Sequence, residues 1–231
     1  MSTIAENIKQ LRDQIDAAAQ LWQRQPGQIN ILAVSKTHPA KAIEQAHAAG
    51  QNHFGENYLQ EALEKQQQLQ HLDLCWHFIG PVQSNKTRQL AENFAWVHSV
   101  DRFKIAQRLS RQRPATMTPL NVCIQVNISR EASKSGCTPE ELPELAMQVS
   151  GLENLRLRGL MVIPQPQSGF EQQRQAFRHT RELLEQLNRH LPKPMDSLSM
   201  GMSDDMEAAI AEGSTIIRVG TAIFGQRQQL A

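Results

Sequence analysis

NILAVSKTHPAKAIEQAHAAGQNHFGENY, Asn30 to Tyr58, holds the unit that decides the architecture. Its first residues, NILAVSK (Asn30 to Lys36), are a short apolar run that reads as a strand buried on both faces. Pro26–Gly27 breaks the chain just before it. A helix is expected from Pro39 to Ala49, with Gly50 as its C-cap. A second strand, HFGENY (His53 to Tyr58), follows at once. Strand, helix and strand in so short a span demand a parallel pair joined by a right-handed crossover.

The same alternation extends outward. Upstream, a helix from about Ser2 to Trp22 carries Ile4, Ile8, Leu11, Ile15 and Ala18 on one face. Downstream, six more runs read as strands: Cys75 to Gly80, Trp96 to Asp101, Asn121 to Ile128, Leu155 to Pro164, Asp196 to Ser203 and Thr215 to Gly225. Helical stretches separate them, among them Pro139 to Val149, Phe170 to Arg189 and Met206 to Ala211. The Gln-rich tract EKQQQLQ (Glu64 to Gln70) reads as a solvated helix face, and REASKSGCTPEE (Arg130 to Glu141) as a surface loop. Eight strands without an internal linker predict one domain over 1–231, a single (β/α)8 barrel over about 30–225 preceded by the extra helix. An open doubly wound sheet of this length has fewer strands, and neither GxGxxG nor GxxxxGK[ST] occurs.

Composition narrows the function. With 24 basic and 23 acidic residues the formal charge is +1, which argues against a general electrostatic nucleic-acid or membrane binder. Cys75, Cys123 and Cys137 show no CxxC spacing and read as reduced thiols. The N-terminus lacks an apolar signal core, and no run approaches the ~18 apolar residues of a membrane span, so a soluble, cytoplasmic protein is expected. No long exposed apolar stripe suggests an obligate dimer; monomer is the default.

In such a barrel, functional side chains collect at the C-terminal strand ends. That rule selects Ser35–Lys36 after strand one, Glu56–Asn57–Tyr58 after strand two, Gly80 with Gln83, Ser84, Asn85 and Lys86 after strand three, Asn127 after strand five, Ser203 after strand seven, and Arg218, Gly220 and Thr221 on strand eight. An ammonium closing the apolar run AVSK is either a nucleophile activated by desolvation, or a lysine reaching solvent or pairing with Glu56. Ser203, Asp204 and Asp205 precede a helical run and suit capping. A helix start after strand seven, with Gly220–Thr221 after strand eight, suits a phosphate; an ordinary cap and a strand-end glycine are the alternative. Arg218, on the same strand face as Gly220, either reaches a ligand or pairs inside the core. His53, His77 and His98 share no metal-ligand spacing and read as core histidines, so no metal is expected. Met161, Met200, Met202 and Met206 read as core filler. No nucleophile elbow supports Ser/His/Asp catalysis.

Longer motifs then resemble a known family. AVSKT (Ala33 to Thr37), FGENYLQE (Phe54 to Glu61), WHFIGPVQSNK (Trp76 to Lys86), SVDR (Ser99 to Arg102), RGLM (Arg158 to Met161), SMGMSDDMEAAI (Ser199 to Ile210) and RVGTAIFG (Arg218 to Gly225) are similar, in this order, to the pyridoxal phosphate homeostasis proteins. The likeness runs from about Ile31 to Gly225 and implies a barrel like the N-terminal domain of alanine racemase. It also implies pyridoxal 5′-phosphate (PLP) held as a Schiff base by Lys36. Ser203, Gly220 and Thr221 would take the phosphate, Arg218 would face the pyridine nitrogen, and Asn57 would line the pocket. The implied role is vitamin B6 balance and delivery of PLP to apoenzymes.

Carrier and racemase readings divide on proton chemistry. Arginine has no acceptor, so beside the ring nitrogen it leaves that nitrogen unprotonated and the electron sink weak. The racemases resembled also use a tyrosine from an additional domain, whereas Tyr58 is the sole tyrosine in this sequence and the last strand is expected to end just before Ala231. A PLP-binding carrier without a catalytic reaction is therefore expected, with a PLP-dependent amino-acid racemase as the alternative.

Overall fold

The computed structural model describes residues 2–131 and 134–225, and in it eight parallel strands close on themselves in sequence order. They are β1 (Asn30–Val34), β2 (His53–Glu56), β3 (Cys75–Phe78), β4 (Trp96–Val100), β5 (Leu120–Val126), β6 (Leu155–Val162), β7 (Ser197–Ser199) and β8 (Ile216–Val219). The helices are α1 (Ile4–Leu21), α2 (Ala40–Ala48), α3 (Leu59–Gln68), α4 (Thr87–Asn93), α5 (Phe103–Gln112), α6 (Leu142–Ser150), α7 (Phe170–Asn188), α8 (Met206–Ala211) and α9 (Thr221–Phe224). The expected (β/α)8 barrel with an N-terminal helix is what forms. Helix α1 starts in a capping box, with Glu6 N donating to Thr3 Oγ1 at 3.2 Å and Thr3 N to Glu6 Oε2 at 2.7 Å. Its apolar face, Ile8, Leu11, Ile15 and Ala18, packs beside α2, α8 and α9 and covers the seam where β8 meets β1.

Several boundaries differ from the expectation, always where the barrel rim begins. Strand β2 stops at Glu56 and β1 at Val34, since the ladder partners run out there. Strand β7 is only three residues, because Gly201 at φ 96° turns the chain away. The expected eighth strand to Gly225 ends at Val219: the amides of Ile223 and Phe224 donate to Gly220 O, and Thr221–Phe224 is a helical turn. Helix α6 begins at Leu142 rather than Pro139, after a turn in which Thr138 and Glu141 bond reciprocally. The Arg130 to Glu141 segment is not all surface loop, since Cys137 bridges to Val126 along β5.

Two cores result. The larger lies between sheet and helices and includes fully buried Phe54, Phe94 and Phe177. The smaller fills the barrel itself, where Leu32, Trp96, Cys123, Met161 and Ile216 pack together. Barrel interiors are mostly branched aliphatic. Here buried His77, His98, Ser199 and Arg218 share that space, so it is polar along one line.

Candidate functional site

The six residues that the resemblance implies for the cofactor lie at the carboxyl ends of β7, β8, β1 and β2, four consecutive staves of the closed sheet. Arg218 is in register with Leu32 and Val219 with Ala33, which sets Gly220 beside Val34 and just below Lys36. Val34 pairs with Gly55, so Lys36 and Asn57 stand at matching heights on neighbouring strands. Strand alternation gives Lys36 and Gly220 the inward parity of Leu32 and Arg218.

The backbone around Lys36 is held from beneath. Ser35 Oγ donates to Glu56 Oε1 at 2.6 Å, and Lys65 Nζ donates to Glu56 Oε1 and Ser35 O, each at 2.8 Å. Lys65 also pairs with Glu61 at 2.5 Å, and Glu61 Oε1 accepts the amide of Thr37 at 2.5 Å. Thr37 has a positive φ of 65°, a conformation β-branched residues avoid, so these bonds hold a strained turn directly after Lys36. Burial raises the Glu56 carboxyl above its usual range, with the Lys65 charge opposing. Lys65 was read as part of a solvated face; it is 5% exposed, and Glu56 is engaged by it.

Asn57 contributes an amide whose Oδ1 is buried and has no hydrogen-bond partner among the described residues. Such an orphan is costly unless a ligand completes it. Its backbone rides over the end of β3: a Cβ on Gly80 would come within 2.2 Å of Asn57 O, so glycine is required there. Gly220 is the N-cap of α9 and Thr221 its exposed first residue, which turns first-turn amides and a hydroxyl toward the rim. Ser203 is exposed in the turn between β7 and α8. The expected capping by Ser203 and Asp204 does not occur; Asp205 is the N-cap residue, but its carboxylate accepts Met202 N at 2.6 Å instead of a helix amide.

Arg218 is buried and anchored below this rim. Nη1 donates to Ser199 O at 2.5 Å and Ser199 Oγ at 3.0 Å, and Nη2 to Val162 O at 2.9 Å. Burial lowers it to about 10, so it stays charged at neutral pH. From Ser199 a hydrogen-bonded line descends the barrel, His98 Nδ1 at 2.8 Å, His98 Nε2 to His77 Nδ1 at 2.9 Å, and His77 Nε2 to His53 Nδ1 at 2.9 Å. Arginine only donates, and Ser199 Oγ keeps a proton and a second lone pair, so it can either donate to His98 Nδ1 or accept from it. Each imidazole then donates from one ring nitrogen and accepts at the other, in either direction along the line. The rings must be neutral for this. Burial takes His98 down to about 3, helped by the Arg218 charge, and takes His77 well below its usual range.

Residues 2–228 match the alanine racemase N-terminal domain family. A pyridoxal phosphate homeostasis protein of Pseudomonas aeruginosa is 63% identical over 227 residues, covering 98% of this chain and 97% of the relative. This chain belongs to that family. The solved structure of PipY from Synechococcus elongatus with PLP bound is 41% identical, has a TM-score of 0.85 and covers 96% of this chain and all of that one. Within the wider fold, an alanine racemase of Clostridium difficile shares 14% identity at a TM-score of 0.75, and 57% of its length is covered. The membership agrees with the motifs that run from Ile31 to Gly225. No helix among the described residues is long and apolar enough to cross a membrane.

Three features had no adequate signal in the sequence. Lys65 shows only an i,i+4 pairing with Glu61, which surface helices share. Ser199 sits inside a strand motif with nothing to mark its two bonds. The histidines are on three separate strands, so their linkage exists only once the barrel closes.

Proposed function

We infer that this protein binds PLP as a Schiff base on Lys36 and serves as a reversible holder that passes the cofactor to apoenzymes. One observation carries the reading: Lys36, the buried Asn57 Oδ1 that has no partner among the described residues, and the Gly220–Thr221 helix start converge on adjacent staves at one rim. That set fits PLP. The cofactor supplies an aldehyde, and a lysine amine at a strand end captures it. Gly220, Thr221 and Ser203 offer amides and hydroxyls to the phosphate, and the orphaned Asn57 amide offers a bond to the ring substituents. The PLP-bound PipY relative supports the ligand's identity.

The residues favour holding over turnover. Arg218 is locked by three bonds, stays charged and has only donors, so any ring nitrogen it meets gains no proton from it. A racemase needs that sink or a second acid/base group. Tyr58 is 57% exposed, outside the inward-facing set.

The test is direct. Purified protein supplied with PLP should be yellow, and borohydride should fix the cofactor covalently on Lys36, as peptide mapping would show. Lys36→Ala should lose the colour while keeping its fold by circular dichroism. Attachment at another lysine would overturn the assignment. Transfer to a defined apoenzyme, faster than from free PLP at equal concentration, would support the delivery role, and sustained turnover of a D-amino acid would replace it with the racemase reading.

A further inference from the structure

At the opposite, amino-terminal end of the barrel, three residues that the cofactor site does not use converge. His53 opens β2, Cys75 opens β3 in register with it, and His77 lies two residues further on the same inward face. One ligating atom from each falls within 4.8 Å of the other two. His77 Nε2 is 2.9 Å from His53 Nδ1 and 3.4 Å from Cys75 Sγ.

We propose that His53, Cys75 and His77 form a metal site of the zinc class, two imidazoles and one thiolate, at the amino-terminal end of the barrel. Zinc bonds of about 2.0–2.1 Å to nitrogen and 2.3 Å to sulfur in tetrahedral geometry set ligand separations of roughly 3.3 Å for N···N and 3.6 Å for N···S. The observed separations fall short of these by a few tenths of an ångström. Rotation of the His53 ring, which is only partly buried, supplies that difference. The donor set has no oxygen, so it selects zinc or cobalt over magnesium or calcium. Binding breaks the Cys75 S–H bond, forms the metal–sulfur bond and releases the proton to solvent.

The outer shell is already built. A metal on His77 Nε2 needs the ring proton on Nδ1, and His98 Nε2 stands 2.9 Å away to accept it. His98 Nδ1 can then donate to Ser199 Oγ at 2.8 Å, whose second lone pair remains beside the one used by Arg218. Trp96 stacks on His77 with centroids 5.3 Å apart and fixes the ring plane. A cavity of about 450 Å³, lined by His53, His77 and Trp96, opens at this point and leaves room for a fourth, exchangeable ligand. Arg158 and Arg24 also line that cavity; Arg158 is matched by Asp196 at 2.7 Å, and Arg24 is held by the carbonyls of Ile210 at 3.2 Å and Ser214 at 2.5 Å.

The experiment is a cobalt(II) titration of the full chain after chelator treatment, read as difference spectra. The expected result is one equivalent of cobalt giving intense tetrahedral d–d bands with a near-ultraviolet thiolate charge-transfer band, both bleached by one equivalent of zinc. Cys75→Ser should abolish the charge-transfer band and weaken zinc binding by more than about a hundredfold, beyond the range for losing an outer-shell partner. Cys137→Ser, in the segment that bridges to β5 and outside the cluster, should leave both signals unchanged. His53→Gln, at a partly exposed position, should remove the tetrahedral bands even if a His77 variant fails to fold. A pale octahedral spectrum only, or a charge-transfer band that survives in Cys75→Ser, would overturn the proposal.

Discussion

At the scale of single residues, the turn around Lys36 depends on groups that never touch a ligand. Lys65 joins Glu56, Glu61 and the carbonyl of Ser35. Lys65→Met keeps the stem and removes the charge, leaving Glu56 buried beside apolar surface. We expect a loss of roughly 3–5 kcal/mol at neutral pH, read as a lower urea midpoint at unchanged slope. The Glu56 carboxyl is raised when folded, so the stability tied to its protonated form is present in acid and lost as pH rises through that raised value. The penalty in the variant should therefore shrink on acidification, and a pH-independent penalty would assign the loss to packing alone. At Thr221, replacement by Val keeps shape and deletes the hydroxyl. PLP affinity should fall by roughly 1–3 kcal/mol, measured by equilibrium dialysis. Unchanged affinity would move the phosphate off α9.

At the scale of elements, the contacts between helices are more specific than the amphipathic pattern implies. Glu212, which ends α8, is buried beneath α7 and accepts from Arg174 at 2.8 Å, Arg178 at 3.1 Å and Arg181 at 3.4 Å. Three guanidiniums spaced along one helix face thus clasp one carboxylate; burial pushes its pKa up, but the bonds and charges of Arg178 and Arg174 hold it below the usual range. Arg174 also stacks over Trp22, at 4.7 Å, tying the end of α1 to the same joint. Glu212→Ala should cost roughly 1.5–3 kcal/mol. The amides at the α8 end should also exchange with solvent faster than those of β5, by hydrogen exchange. Equal protection would mean that the clasp adds nothing to docking.

At the scale of the whole molecule, the polar line through the barrel couples folding to pH. His98 falls from its ordinary value to about 3 because the interior excludes its charged form. The unfolded chain takes up that proton below about 6.5, so stability is full above this and is lost as pH falls toward 3, by roughly 1.4 kcal/mol per unit for this one ring. His77 adds in the same direction, and Glu212 withdraws its contribution as pH falls through its lowered value. Thermal midpoints measured from pH 7.5 to 4 should decline steadily with acid. In a Glu56→Gln background, where that opposing carboxyl is gone, a flat profile between 6.5 and 5 would show that the imidazoles charge within the fold.

The division between sequence and structure follows from the range of the forces involved. Apolar runs separated by helical stretches, with Gly50 and Pro26–Gly27 as punctuation, suffice to specify eight parallel strands, because hydrophobic period and chain breaks act locally. The strand-end rule likewise located Lys36, Asn57 and Arg218, since a barrel always turns those ends to one rim. What it missed depends on closure. Residues from strands β2, β3, β4, β7 and β8 meet only inside the finished barrel, where Arg218, Ser199, His98, His77 and His53 align and Cys75 joins them. Lys65 reads as one more solvated cation until the low dielectric beneath Lys36 forces it against Glu56. The sequence alone determined the architecture and the rim that carries the lysine. Tertiary structure alone decided which polar groups share the interior, because their spacing is set by the radius of the barrel rather than by the distance along the chain.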